Sequence, residues 1–147
     1  MQKTPAIICD LDGTLALRGD RDPYNYLLAI EDVPYWAVIH MVKALYTGYT
    51  QAGYPVVLLL VSGREDHSRH IVEYWLSTHD IFDSIPRQVY LREDNDNRRD
   101  AVVKEEIYNL YIKPTYEVLC VIDDRKQVVR MWRNLGLLCL QVAEGDF

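Results

Sequence analysis

The residues that could do chemistry begin at a junction, Ile7-Ile8-Cys9-Asp10-Leu11-Asp12-Gly13-Thr14. An apolar run ends there in two carboxylates. In an extended segment, side chains i and i+2 project to the same side, so Asp10 and Asp12 would leave a buried strand together. Gly13 then lets the backbone turn at low steric cost. Like charges held this close need a reason. One reason is a hard cation such as Mg²⁺, which takes oxygen ligands and often brings a phosphate with it. Another is a division of labour, one carboxylate acting as nucleophile and its neighbour as acid/base. The plain alternative is a strand followed by a solvated Asp-Gly turn.

Two more apolar runs end in polar residues. Tyr54 to Val61 stops at Ser62-Gly63-Arg64, and Tyr116 to Ile122 stops at Asp123-Asp124. Ser62 and Gly63 offer a hydroxyl and free backbone N–H groups, a reasonable phosphate cradle, although Ser-Gly alone is an ordinary strand-to-helix turn. Asp100 and Lys104 are four apart and would share a helix face; alone they would be a surface ion pair worth little. Arg21 and Arg64 carry the planar fork that grips phosphate, and each alone could be a surface arginine.

Carboxylates without His or Cys partners suit Mg²⁺ rather than zinc. A cation and a lysine would offset the repulsion between a carboxylate and a phosphate dianion, so the inventory fits phosphoryl transfer. His40, His67, His70 and His79 fall at no ligand spacing. No GxxxxGK[ST] occurs, which excludes a P-loop. Most Tyr and Trp residues fall at core spacing and read as packing rather than base-stacking platforms.

These residues need strands and helices to position them. Pro5–Cys9, Tyr54–Val61 and Tyr116–Ile122 read as strands buried on both faces, Arg87–Leu91 as a short strand and Leu137–Val142 as a final one. Helical spacing covers Tyr35 to about Gln51, Asp66 to about His79, Asp100–Tyr111 and Lys126–Asn134. Their inward residues include Trp36 and Val42, Ile71 and Trp75, Val103, Ile107 and Leu110, and Val129 and Trp132. Residues 17–34 are polar and irregular and read as a loop or small flap beside the site. Strands alternating with helices imply an α/β fold with a mainly parallel sheet and helices on both faces. The three polar strand ends then share one rim, where ligands bind in such sheets.

The chain of 147 residues reads as a single domain, with no internal repeat and no linker. Its composition, 49% hydrophobic and 26% charged, is that of a globular protein. A net charge of −6 argues against electrostatic coating of nucleic acid, though not against gripping one phosphorylated end. Cys9, Cys120 and Cys139 lie inside apolar runs and read as buried thiols of a reducing compartment. No signal peptide or membrane span is read, so a cytoplasmic location is expected.

The ordered motifs Asp10-Leu11-Asp12-Gly13-Thr14, Ser62, Lys104 and Asp123-Asp124 resemble those of the haloacid dehalogenase (HAD) phosphatases. Further segments narrow the resemblance: Val61-Ser62-Gly63-Arg64-Glu65, Val102-Val103-Lys104-Glu105-Glu106-Ile107, Ile122-Asp123-Asp124-Arg125, Met131-Trp132-Arg133, Gln141-Val142-Ala143 and Gly145-Asp146-Phe147. Together they look like the 3′-phosphatase domain of phage-type polynucleotide kinase-phosphatases, over almost the whole chain. The resemblance implies a three-layer Rossmann-like fold with a minimal cap.

The resemblance also implies roles. Asp10 would attack phosphorus and form an aspartyl-phosphate, with Asp12 as acid and then base. The Asp10 carboxylate, the Asp12 backbone carbonyl and Asp124 would hold Mg²⁺. Ser62, Gly63 and Lys104 would bind phosphoryl oxygens, and Asp123 would orient Lys104 or a metal-bound water. Arg21, Arg64 and Asp100 would serve substrate grip and hold Lys104. The implied substrates are DNA or RNA 3′ ends. The family's kinase half is missing from this sequence, so no 5′-kinase activity is implied, and a separate kinase or ligase is a possible partner. A small-molecule HAD phosphatase is the first rival. A receiver-like phospho-switch is a more distant one, disfavoured by an acid/base two residues past the nucleophile.

Overall fold

The computed structural model describes residues 2–146, so the tail residue Phe147 of the last motif lies outside the described residues. In chain order the strands are β1 (Thr4–Cys9), β2 (Ala16–Leu17), β3 (Val33–Pro34), β4 (Val57–Glu65), β5 (Arg87–Arg92), β6 (Tyr116–Arg125) and β7 (Cys139–Gly145). The helices are α1 (Trp36–Gln51), α2 (Arg69–Thr78), α3 (Asp100–Ile107) and α4 (Lys126–Asn134). Five strands form one parallel sheet in the order β5-β4-β1-β6-β7, and β2 pairs with β3 as a separate antiparallel ribbon.

The alternation of the strands divides the core in two. Ile7, Cys9, Leu58, Leu60 and Ile122 face one side and pack with Ile39, Val42, Val72 and Trp75 of α1 and α2. Ala6, Ile8, Leu59, Val61 and Val121 face the other and pack with Val103, Ile107, Val129 and Trp132 of α3 and α4. A strand buried on both faces has no polar side to show, hence the continuous apolar runs. The expected three-layer α/β fold is therefore present.

Register brings the polar strand ends together. Cys9 pairs with Leu60 on one side and with Ile122 on the other. The residues that follow leave three adjacent strands at one level. β4 and β6 run further than their apolar runs, to Glu65 and Arg125. Each passes a register shift, with the extra residues at 62–64 of β4 against β5 and at 142–144 of β7 against β6. Such irregularities re-aim side chains at a sheet's rim.

Three details differ from the sequence reading. The third helix changes to a wider π turn at Tyr108–Ile112, so Leu110 points to solvent (58% exposed) and Ile112 is buried in its place. Trp36, at the first turn of α1, stays at the surface and stacks on His40 at 5.8 Å. The final strand is β7, Cys139–Gly145, beginning and ending later than Leu137–Val142.

Residues 17–34, called the flap below, are a short segment between β1 and α1. Its ends are the β2–β3 ribbon, and a 3₁₀ turn at Tyr26–Glu31 rests against α2. The indole N–H of Trp75 donates to the Asp32 carbonyl at 2.8 Å, fastening the flap to α2. Trp75→Ala should therefore cost about 3–5 kcal/mol in urea unfolding. Trp75→Phe should cost less but lose that hydrogen bond, opening the 17–34 segment to limited proteolysis before global unfolding. Unchanged proteolysis in the Phe variant would show that the flap is held by other contacts.

Candidate active site

At the rim of the sheet the charged residues form one connected network. Its centre is Lys104, on the inward face of α3 and only 1% exposed. Its ammonium lies 2.8 Å from Asp10 Oδ1, 3.2 Å from Asp123 Oδ2 and 3.7 Å from Asp100 Oδ2. The expected Asp100–Lys104 pair exists, but it is buried and part of a larger cluster rather than a surface pair. Burial alone would lower the lysine pKa; Asp10, Asp123 and Asp100 outweigh that and raise it well above the ordinary value. Lys104 is thus a fixed positive charge.

Asp10 accepts from Lys104 through one oxygen, while the hydroxyl of Thr14 lies 3.1 Å from its other oxygen. The same hydroxyl lies 3.2 Å from Asp124 Oδ1. Burial first, and then the charge of Asp123, push the Asp10 carboxyl well above the usual carboxylate range, against the opposing pull of Lys104. Burial also raises Asp124. Asp123 is fully committed within the protein. Oδ1 accepts the backbone N–H groups of Asp124 (2.8 Å) and Arg125 (3.2 Å); Oδ2 accepts from Lys104 and from the Trp132 indole N–H (3.3 Å).

Asp10, Asp123 and Asp124 each present an oxygen within 4.8 Å of the others. When ionised, these three carboxylates exceed the one ammonium by two negative charges in a buried place, in keeping with the raised Asp10 and Asp124. That balance, with oxygen donors only, fits a hard divalent cation. The backbone is shaped for the approach. A Cβ on Gly13 (φ +80°) would fall 2.3 Å from Asp124 Oδ2, so a side chain there would displace this carboxylate. Gly63 does the same for Asp100, whose Oδ1 would lie 2.0 Å from a Cβ.

Asp12 belongs to a second network, closer to solvent. Its side chain is 39% exposed and forms a two-pronged bridge with Arg64: Nε to Oδ2 at 2.9 Å and Nη2 to Oδ1 at 2.6 Å. Arg64 also reaches Asp32 Oδ2 at 3.2 Å. Arg21 grips Asp32 with its own fork, at 2.7 and 2.8 Å, and lies 3.7 Å from Asp12. Both arginines therefore face carboxylates rather than an open phosphate seat. The side chain of Asp32, from the flap, is 1% exposed and joins the two.

A cavity of about 440 Å³ opens onto these groups. Asp10, Asp12, Arg21, Gly63, Arg64, Asp100 and Asp124 line it. Ser62, Lys104 and Asp123 lie beneath the wall, where the Ser62 hydroxyl accepts from the backbone N–H of Arg64 at 3.2 Å. Every residue singled out in the sequence is thus at this rim. Sequence reading missed Asp32, Trp132 and Arg92, whose guanidinium donates to the Gly63 carbonyl at 2.8 Å and reaches Asp100 at 3.4 Å. Asp32 stood in an irregular polar stretch with nothing to distinguish it. Thr14, by contrast, stood in the leading motif and could have been assigned a role.

Comparison with known proteins shows what the chain resembles. Two solved structures of the Pnkp1/Rnl/Hen1 RNA repair complex contain a chain 39% identical to this one, with a TM-score of 0.86 over 99% of its length. The class C acid phosphatase of Bacillus anthracis, solved with tungstate bound, shares the fold (TM-score 0.60, 15% identity, 99% of this chain and 70% of that one). A protein of Autographa californica nuclear polyhedrosis virus, provisionally named a bifunctional polynucleotide kinase/RNA ligase, is 32% identical over 133 residues, 90% of this chain. The chain spans 18% of that viral relative and 44% and 48% of the matched repair-complex chains. Residues 4–147 match the family model of the polynucleotide kinase PNKP phosphatase domain, and the chain belongs to that family of HAD phosphatase domains.

Proposed function

We propose that this chain is a Mg²⁺-dependent phosphatase that removes the 3′-phosphate from polynucleotide ends through an aspartyl-phosphate. The observation that carries the reading is the buried contact of Lys104 with Asp10 at the floor of an open, carboxylate-lined cavity. The family and the RNA repair complex relatives support the substrate class.

Asp10 and Asp124, with the backbone carbonyl of Asp12, would hold Mg²⁺. Bound there, the ion would screen the carboxylates from the substrate phosphate and stabilise charge on its oxygens. Asp123 has both oxygens occupied by protein donors, so its role is to orient Lys104. Asp10 attacks phosphorus, the bond to the nucleoside 3′ oxygen breaks, and Asp12 delivers a proton to that oxygen. Asp12 then takes a proton from water. The resulting hydroxide attacks phosphorus, releasing inorganic phosphate and restoring the Asp10 carboxylate. Lys104 and the backbone at Ser62 and Gly63 hold the phosphoryl oxygens.

Arg64 and Arg21 flank Asp12 and hold its carboxylate at the mouth of the cavity. The minimal flap leaves the site open to a long substrate. The product, a 3′-hydroxyl end, is what a sealing reaction consumes, so a separate ligase or kinase belongs to the same proposal. So does a cytoplasmic setting, which suits three buried free thiols. No helix among the described residues is long and apolar enough to cross a membrane.

The first test is Mg²⁺-dependent phosphate release from matched oligonucleotides. Release from the 3′-phosphorylated strand and not from the 5′-phosphorylated one is expected; turnover of generic phosphate esters alone would move the substrate to small molecules. Asp10→Asn should reduce turnover to background without lowering stability. Asp12→Asn should lower kcat by about 10²–10⁴-fold in single-turnover assays. Full activity in either variant would remove the assigned role.

The raised pKa values of Asp10 and Asp124 set a pH dependence. Both groups must lose their protons to bind a cation, so protons compete at a higher pH than for ordinary carboxylates. Without metal, protonating these two groups relieves their repulsion, so their own contribution to folding becomes more favourable as pH falls. The rise in Tm caused by Mg²⁺ should therefore shrink as pH falls from 7.5 toward the carboxylate range. A pH-independent Mg²⁺ shift would place the cation elsewhere.

A further inference from the structure

The cavity is larger than a phosphoryl group requires and lies within the size range of small-molecule sites. Its inner wall is the charged network described above. Its outer wall is different in character: Leu17, Arg18, Gly19, Pro23, Tyr24 and Tyr26, all from the flap. Tyr24 is 81% exposed, although most aromatic residues of the chain pack in or near the core. It is an exception to the reading of Tyr and Trp as packing residues. Leu17, which lines the same cavity, is also exposed.

The turn that presents Tyr24 is held from within. The Arg21 guanidinium, having gripped Asp32 with Nε and Nη2, donates through Nη1 to the carbonyls of Asp22 (3.0 Å) and Asn25 (3.3 Å). Asp22 accepts from the backbone N–H of Tyr24 at 2.9 Å, and Pro23 restricts the backbone between them. The ring is therefore displayed on a braced turn at the mouth of the catalytic cavity. Arg18, which lines the same cavity, donates to the Arg21 carbonyl at 2.7 Å. Among the described residues no carboxylate pairs with Arg18, so it keeps a local positive charge on a chain of net charge −6.

We propose that Tyr24, with Leu17 and Arg18 of the same cavity wall, forms a subsite for the terminal nucleoside: Tyr24 stacks on the base, and Arg18 contacts the next phosphate of the strand. The inference rests on the reading of the chain as a polynucleotide 3′-phosphatase and adds the residues that select such an end over a small phosphate ester. The geometry follows from the chemistry. With phosphorus at Asp10, the leaving oxygen and its sugar extend outward, toward the flap wall. A base face stacks on an exposed aromatic ring whatever its sequence, and an unpaired arginine suits a polyanion's next charge.

The test compares three substrates with Mg²⁺: a 3′-phosphorylated oligonucleotide, a nucleoside 3′-phosphate and β-glycerol phosphate, which has no ring. Tyr24→Ala should lower kcat/KM for both nucleotide substrates by about 10-fold relative to β-glycerol phosphate, mainly through KM. Tyr24→Phe should restore the preference. Arg18→Ala should flatten the salt dependence for the oligonucleotide and not for the nucleoside 3′-phosphate, which lacks the next phosphate. In Asp10→Asn protein, 2-aminopurine as the terminal base should be quenched on binding, and less so when Tyr24 is also Ala.

An equal loss on all three substrates would make Tyr24 a structural residue and overturn the subsite. So would unchanged selectivity in an active 3′-phosphatase, which leaves the proposed function standing. A wild-type enzyme that turns over β-glycerol phosphate but no 3′-phosphorylated nucleotide would overturn both.

Discussion

The buried ammonium of Lys104 is the charge on which the rim depends. Asp10, Asp123 and Asp124 converge within a few ångströms where water is largely excluded, and carboxylates there repel strongly. Lys104 offsets one of the charges and contacts two of the three groups directly. Removing Lys104 would leave these buried carboxylates without compensation, at a cost of about 3–5 kcal/mol. The Asp123 oxygens, the Trp132 indole and two backbone N–H groups hold the lysine's position from below. Two negative charges remain, facing the cavity. The same excess of negative charge is what the proposed cation would offset.

The second constraint connects the flap to the chemistry. Asp32 stands next to β3 and is buried against Arg21 and Arg64, and both arginines reach toward Asp12. The indole of Trp75 holds the backbone of the same aspartate. A residue of the flap, two arginines and the outer carboxylate of the leading motif are therefore joined in one network. In an acidic chain, this is also how several arginines can gather at one mouth without repelling one another. Carboxylates neutralise the inner pair, while Arg18 on the outer wall stays unpaired among the described residues.

Most of the sheet was legible in the sequence because buried parallel strands must be apolar on both faces, and a polar residue can enter only where the strand meets the rim. That is why Asp10, Ser62 and Asp123 announced the site. The helices were legible from their spacing, except where spacing ceased to hold. Leu110 continues the α-helical pattern of Val103 and Ile107, but the π turn rotates it outward and buries Ile112 instead. Periodicity cannot report a change in its own period.

By itself, the sequence determined the parallel α/β order, the inner carboxylates, the lysine and the family pattern, because each is carried by local runs or short motifs. Only the tertiary structure decided who faces whom. Arg64 and Arg21, equally suited to a phosphate, are turned to Asp12 and Asp32, respectively, across 52 and 11 residues of chain. Tyr24, one aromatic among many, is left in solvent at the mouth of the cavity. Ion pairs and exposure depend on distances that the fold sets between remote segments, and no local pattern encodes them.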